Sequence, residues 1–236
     1  MSLREKYAAI FATECANTYP VMDALEKAKG FSVETAKLQA AAEVLACPLK
    51  VNPPNWQHGR LIYAVARHYL AANPAQSGIF LDIGTAKGFS ACVMTWAIED
   101  AGADIPVVSI DVIDPYSTER RNSVGEIDSP KTLREFVAPF QSSASSVTWL
   151  GGGSSAWFKS SKRPRVLLAF VDGKHTFEAV LAEGNALRDR QERGDIVIYD
   201  DAQISAVRTA AEQVRGYVCE HVWLSPKRSY IVAVRT

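Results

Sequence analysis

The chain is poor in features that would mark a secreted, metal-knotted or nucleic-acid-binding protein. Its four cysteines, Cys15, Cys47, Cys92 and Cys219, lie far apart with no C-x-x-C pair. That spacing argues against a disulfide framework or a zinc knot and leaves buried free thiols as the expected state. Charge of one sign is also lacking: Lys+Arg and Asp+Glu both number 26, so no net field draws the protein to nucleic acid. The one basic cluster, Lys159, Lys162, Arg163 and Arg165, sits in a Ser/Pro-containing loop and reads as a solvated connection. No apolar run reaches the ~20 residues that span a bilayer, and no signal-peptide core follows MSLREKYAAI. A soluble, cytoplasmic protein engaging neither nucleic acid nor membrane is therefore expected. Its 236 residues are enough for one catalytic domain with an N-terminal extension.

Residues 1–55 read as a helical cap and linker. Helices are expected from Leu3 to Thr18, from Pro20 to Lys29, and from Val33 to Ala46 behind Ser32 as N-cap. Cys47-Pro48 and the V-N-P-P-N run ending at Asn55 break the pattern into an extended linker. Within residues 56–236, a helix from Gly59 to Ala72 carries Leu61, Ile62, Val65, Tyr69 and Leu70 on one face. Short apolar runs then alternate with helical segments, the signature of an α/β fold with a mostly parallel sheet covered on both sides. Strands are expected at 79–82, 107–111, 147–150, 166–171, 195–199, 217–224 and 229–235. Only Ser225-Pro226-Lys227-Arg228 separates the last two, too little for a crossover, so they must pair antiparallel. The expected architecture is a Rossmann-like doubly wound sheet closing in a C-terminal antiparallel hairpin.

The stretch Gly78 to Ser90, GIFLDIGTAKGFS, organises the rest. An apolar run ends on Asp82 and breaks at Gly84 and Gly88 before a helical, amphipathic pattern resumes at Phe89, Val93, Met94, Trp96 and Ala97. Glycines let backbone approach a ligand, and a new helix aims free N–H groups at an anion. A dinucleotide fingerprint would need a third glycine beyond Gly88, and a P-loop would need Lys and Ser/Thr directly after it; Phe89 and Ser90 stand there instead. The pattern D-I-G-T-A-K-G-F-S, from Asp82 to Ser90, resembles the first motif of class I S-adenosylmethionine-dependent methyltransferases, with Ala86 where a middle glycine is usual. Its acid-x-G-x-x-x-G-aromatic-S form is similar to catechol O-methyltransferase and related small-molecule O-methyltransferases.

That resemblance implies S-adenosyl-L-methionine as cofactor, held at Asp82, Gly84, Thr85 and Gly88, with Ser90 meeting the methionine carboxylate. Asp111, ending VVSID, is placed to accept from the ribose hydroxyls; alternatively it caps the turn into Ile113-Asp114-Pro115, with Asp114 as a substitute. In W-L-G-G-G-S-S-A-W, Leu150, Gly152 and Ser154 match the family's adenine-contacting turn, with Ser155 beside them.

Two further strand ends are acidic: LLAFVD stops at Asp172, also a cofactor-site candidate, and DIVIYDD stops at Asp200 and Asp201. On neighbouring strands these three carboxylates would repel one another unless a cation joined them, and oxygen ligands favour a divalent ion, Mg²⁺ foremost, with Mn²⁺ or Ca²⁺ open. The set resembles the Asp, Asp, Asn metal triad of the catechol enzymes, with Asp201 in place of asparagine. A purely structural alternative has Asp200-Asp201 capping a helix from Ile204 to Val214. His175, three residues after Asp172, falls where metal-dependent sugar O-methyltransferases carry D-G-[DN]-H-[ST], although Lys174 departs from that motif. Histidine titrates near neutrality and would take the acceptor's proton, or else it only caps a helix. His58, His68 and His221 lack such company. Trp56, Gln57 and His58, and the segment Tyr116 to Ser129, are substrate-contact candidates by location.

The expected function is metal-assisted O-methylation of a hydroxylated small molecule, with possible self-association through the N-terminal helices. A metal-independent methyltransferase, a nicotinamide oxidoreductase and a non-catalytic nucleotide-binding protein are the alternatives.

Overall fold

A computed structural model describes residues 2–48, 54–118, 124–127, 129–141, 147–160 and 164–236. Every residue of β1 (Ile79–Ile83) and of β4 (Val166–Val171) is buried, as continuous apolar runs require when helices cover both sheet faces. With β2 (Val107–Asp111), β3 (Val147–Gly151) and β5 (Ile196–Tyr199) they form a parallel array in the order β3-β2-β1-β4-β5. The chain then closes with β6 (Tyr217–Ser225) and β7 (Arg228–Arg235), joined by Pro226-Lys227. β7 inserts antiparallel between β5 and β6, leaving β6 at the edge. The strand order reverses between β1 and β4, so their carboxyl ends open a crevice.

The crevice is kept in register by bonds that continue each ladder one residue further. Gly84 donates its N–H to the Ile110 carbonyl (2.9 Å), Asp172 to that of Ile83 (2.8 Å) and Asp200 to that of Val171 (3.0 Å). Asp172 and Asp200 are thereby fixed just beyond the strands they follow.

On one face lie α1 (Leu3–Cys15), α2 (Pro20–Lys29), α3 (Thr35–Leu45), α4 (Gln57–Ala72) and α5 (Phe89–Asp100), with α6 (Leu133–Val137) at the side of α3. Their buried side chains, from Tyr7 and Phe11 to Trp96, form one hydrophobic cluster with Phe80 and Phe170 of the sheet. On the other face α7 (Ser154–Phe158), α8 (Phe177–Arg188) and α9 (Ser205–Gln213) pack over Leu81, Ala169 and Val197. Arg60 of α4 pairs with Asp23 (2.6 Å) and Glu26 of α2, tying the cap to the sheet layer. No helix among the described residues is long and apolar enough to cross a membrane.

Four expectations change in detail. α1 stops at Cys15 rather than Thr18, because the chain turns into Pro20 at the first position of α2. α3 starts at Thr35, with Glu34 rather than Ser32 at the N-cap; Val33 is instead drawn into the core, and with Leu38 it occupies the N′ and N4 positions of a hydrophobic staple. α4 begins at Gln57, so His58 lies in its first turn and not in a linker. α5 is not amphipathic: Phe89 to Ile98 are all buried, because α3 and α4 cover the side that faces away from the sheet. Residues 49–53 of the expected linker, 119–123 and 128 of the expected substrate segment, and Lys162 and Arg163 lie outside the described residues.

Candidate active site

The turn after β1 needs its glycines. Gly84 has φ 94°, and a Cβ there would collide with the Asp172 backbone carbonyl; at Gly88, φ 82°, it would sit 2.5 Å from Val137 Cγ1. Ala86 also takes a left-handed conformation, φ 45°, a backbone geometry that glycine adopts more readily. An L-residue tolerates this at a cost of about 1 kcal/mol.

Asp82 is fully buried and holds this turn from inside. Its carboxylate accepts from Ser90 Oγ (2.7 Å) and Ser109 Oγ (2.6 Å). Since Ser109 gives its proton to Asp82, Thr85 must donate to Ser109 across the 2.6 Å contact. Burial raises the Asp82 pKa to about 6 against the pull of both serines, with Asp172 and Asp111 adding repulsion. Asp82, Thr85 and Ser90, expected to touch a ligand, are thus linked in one hydrogen-bonded framework. Asp111 is half-buried and accepts from the Ala86 amide (2.7 Å) and the Ile113 amide (2.9 Å). It therefore caps the turn after β2 and tethers the Gly84 turn, while each oxygen keeps a lone pair for another donor. Asp114 Oδ1 accepts from the Tyr116 amide (2.8 Å).

The acids after β4 and β5 do converge. Ligand atoms of Asp172, His175 and Asp201 lie within 4.8 Å of one another. His175 Nε2 is 3.2 Å from Asp172 Oδ1 and 3.5 Å from Asp201 Oδ2. The bond from Asp172 raises the His175 pKa against the opposing effect of burial, with the charges of Asp172 and Asp201 adding to the rise. Asp200 is 3% exposed, and its Oδ1 accepts the Asp201 amide (2.7 Å). Burial, followed by repulsion from Asp172 and Asp201, pushes the Asp200 carboxyl well above the ordinary range. Burial is also the leading cause of the upward shift at Asp172. Neither Asp200 nor Asp201 caps α9, whose N-cap is Ile204 with no side-chain bond.

Sequence reasoning missed the cation in this cluster. Arg228, the first residue of β7, places Nη1 2.6 Å from Asp201 Oδ1 and 3.8 Å from Asp200 Oδ1. In the sequence it looks like the end of a hairpin turn, and its proximity to the acids follows only from β7 lying beside β5.

Two cavities meet at this crevice. The larger, about 800 Å³, is lined by Gly84, Asp111, Val112, Gly152, Ser154 and Ser155, among others. Val112, 81% exposed, is an apolar wall that the motif reading passed over. The smaller, about 290 Å³, is lined by Asn55, His58, Ser90, Asp200, Asp201 and Arg228, among others. Gly84, Ala86 and Asp172 border both. Thr85 and Ser90 face the smaller cavity, and Gly88 and His175 line neither. Of the three proposed substrate contacts at the start of α4, His58 alone lines either of these two cavities. Trp56 and Gln57 are buried away from both. His58 is packed edge-on against Phe89 and stacked on Phe170, and burial, aided by Arg228, lowers its pKa to about 3.

Residues 81–202, just over half of the chain, match a family model described as a methyltransferase domain. No curated protein matches the chain. Among solved structures, the O-methyltransferase NovP aligns at 17% identity and a TM-score of 0.58, over 83% of this chain and 87% of that one. TomG from Streptomyces achromogenes, an O-methyltransferase involved in tomaymycin synthesis and solved with SAM, aligns at 16% and 0.56, over 87% and 92%. An O-methyltransferase from Bacillus cereus, solved with SAH, aligns at 13% and 0.55, over 94% and 93%. At these identities the likeness is one of fold, and the seven-stranded sheet with its antiparallel end is the class I methyltransferase architecture.

Proposed function

The chain belongs to the methyltransferase-domain family whose model it matches, and from that premise we propose that it transfers the methyl group of S-adenosylmethionine to a hydroxyl oxygen of a small molecule, assisted by a divalent metal. The observation that carries this reading is the pair of cavities sharing Gly84, Ala86 and Asp172 as a common wall. The larger has the volume of a cofactor pocket, and the smaller brings the acid cluster to the junction.

In this reading Gly84 and Gly88 shape the turn beside the cofactor, Asp111 offers its remaining lone pairs to the ribose hydroxyls, and Gly152, Ser154 and Ser155 border the adenine. The acceptor occupies the smaller cavity beside His58 and Asn55. Bound in the larger cavity, S-adenosylmethionine would supply a sulfonium methyl group for in-line displacement by the acceptor oxygen, with the carbon–sulfur bond pair going to sulfur as a neutral thioether. Most of the acceleration then comes from positioning. Asp172, which lines the smaller cavity, would pass the acceptor's proton to His175 in its neutral form, which prevails only above a pKa that Asp172 has raised.

The donor set fits a divalent ion: carboxylate oxygens and one imidazole nitrogen lie within reach of a common centre. Asp172, Asp200 and Asp201 would hold it, which leaves the His175 nitrogen free to take the proton. Bound there, a metal would supply Lewis acidity that lowers the hydroxyl pKa. A second reading, metal-independent transfer, is favoured by Arg228, whose guanidinium already offsets Asp201 at 2.6 Å.

Titration calorimetry with S-adenosylhomocysteine and with NAD⁺, each with and without Mg²⁺, tests the assignment. Binding of S-adenosylhomocysteine alone supports the cofactor, whereas binding of NAD⁺ alone would sink it. Turnover on hydroxylated acceptors that is unaffected by EDTA selects the Arg228 reading.

A further inference from the structure

Glu183 of α8 lines the larger cavity and yet is only 8% exposed. One carboxylate oxygen, Oε1, accepts from Ser154 Oγ at 2.5 Å. The other, Oε2, is sealed from solvent and has no hydrogen-bond partner. An unpaired buried acceptor is destabilising, and packing alone gives no reason to keep a carboxylate there. Burial accordingly pushes its pKa up, opposed by the Ser154 bond.

What the carboxylate does is fix a proton. Ser154 has a single hydroxyl hydrogen, and it points at Glu183. The lone pairs of Ser154, which also lines the cavity, are left as acceptors. Nearby walls are apolar: Val112, Phe158, Ala179, Ala182 and Ala186. They suit a flat heterocycle, and the hydroxyl among them would discriminate among its edge groups.

We propose that Glu183, acting through Ser154, makes this end of the cavity selective for a purine with an exocyclic amino group, admitting adenine and rejecting its 6-keto counterpart. The proposal rests on the cofactor reading above. Glu183 is a positioning residue: Ser154 makes the contact, and Glu183 dictates that this contact accepts a hydrogen bond. A keto oxygen there would face lone pairs and lose its own partner.

Calorimetric titration of the full chain with S-adenosylhomocysteine and S-inosylhomocysteine tests it, in wild type, Glu183→Gln, Glu183→Ala and Ser154→Ala. Wild type should favour the adenosyl ligand by on the order of tenfold or more. Glu183→Gln keeps the shape, but its amide can donate to Ser154 and turn the hydroxyl proton toward the cavity, so the preference should collapse to within about threefold. Glu183→Ala and Ser154→Ala should also lose it. If Glu183→Ala fails to fold, the near-isosteric glutamine variant and Ser154→Ala decide. Adenosyl binding with an unchanged preference in Glu183→Gln, or no preference in wild type, would overturn the role of Glu183 while leaving the cofactor reading intact. Wild type binding neither ligand would overturn both.

Discussion

The two cavities flanking the Gly84 turn follow opposite electrostatic plans. Around the larger one the carboxylates stand apart and are tied into the framework, with Glu183 keeping one oxygen unpaired. Asp82 takes two serine hydroxyls and Asp111 takes two backbone amides. In the smaller one three acids crowd together, and Arg228 and His175 offset them only in part. Burial and mutual repulsion raise Asp172 and Asp200. A site whose carboxylates are held singly by hydroxyl and amide donors is suited to hold a ligand in place. One with unbalanced buried charge is suited to chemistry, because an incoming cation or proton changes its energy most.

The harshest challenge to the larger side is Gly84→Ala. The new methyl meets the Asp172 backbone, which cannot yield without moving the end of β4. Destabilisation of about 3 kcal/mol or more and loss of S-adenosylhomocysteine binding are expected in thermal melts and calorimetry. On the smaller side, Asp201→Asn removes a charge while keeping a side chain that tolerates φ 53°. Turnover should fall roughly 100-fold or more while cofactor affinity stays within about threefold; equal losses of both would erase the contrast between the cavities.

Asp82→Asn sharpens the comparison through pH. The folded pKa of about 6 stands above the ordinary 3.8, so the stability this group contributes is present below 3.8 and is lost as pH rises through about 6. A shift of that size corresponds to roughly 3 kcal/mol. Melting curves between about pH 4 and pH 7 should fall more steeply with rising pH for wild type than for Asp82→Asn. The smallest effect belongs to Ala86→Gly. Relief of the left-handed strain, partly offset by glycine's greater freedom in the unfolded chain, should stabilise by about 0.5 kcal/mol. A loss of stability there would remove the strain argument.

Most of the framework was legible in the residues because apolar runs announce buried strands. The seven expected strands are all present within a residue or so of their limits. Four amino acids between the last two runs sufficed to demand an antiparallel pair. The α5 pattern misled because amphipathicity presumes solvent on one side, and α3 and α4 occupy that side. Ser90 and Thr85 were legible as site residues from their place in the motif and both face the smaller cavity, but local pattern carries no record of the bond from Ser90 to Asp82 or of the Ser109 hydroxyl that joins Thr85 to it. Glu183 looked like one more polar position on a helix; its isolation beside Ser154 comes from α8 packing against α7.

The sequence alone determined the order of the elements, the glycines of the turn and the acids at the strand ends. Those depend on run length and backbone freedom, which are properties of short stretches of chain. Tertiary structure decided which charges face one another. Arg228 meets Asp201 across 27 residues because β7 lies against β5, and electrostatic energy follows distance through space rather than separation along the chain.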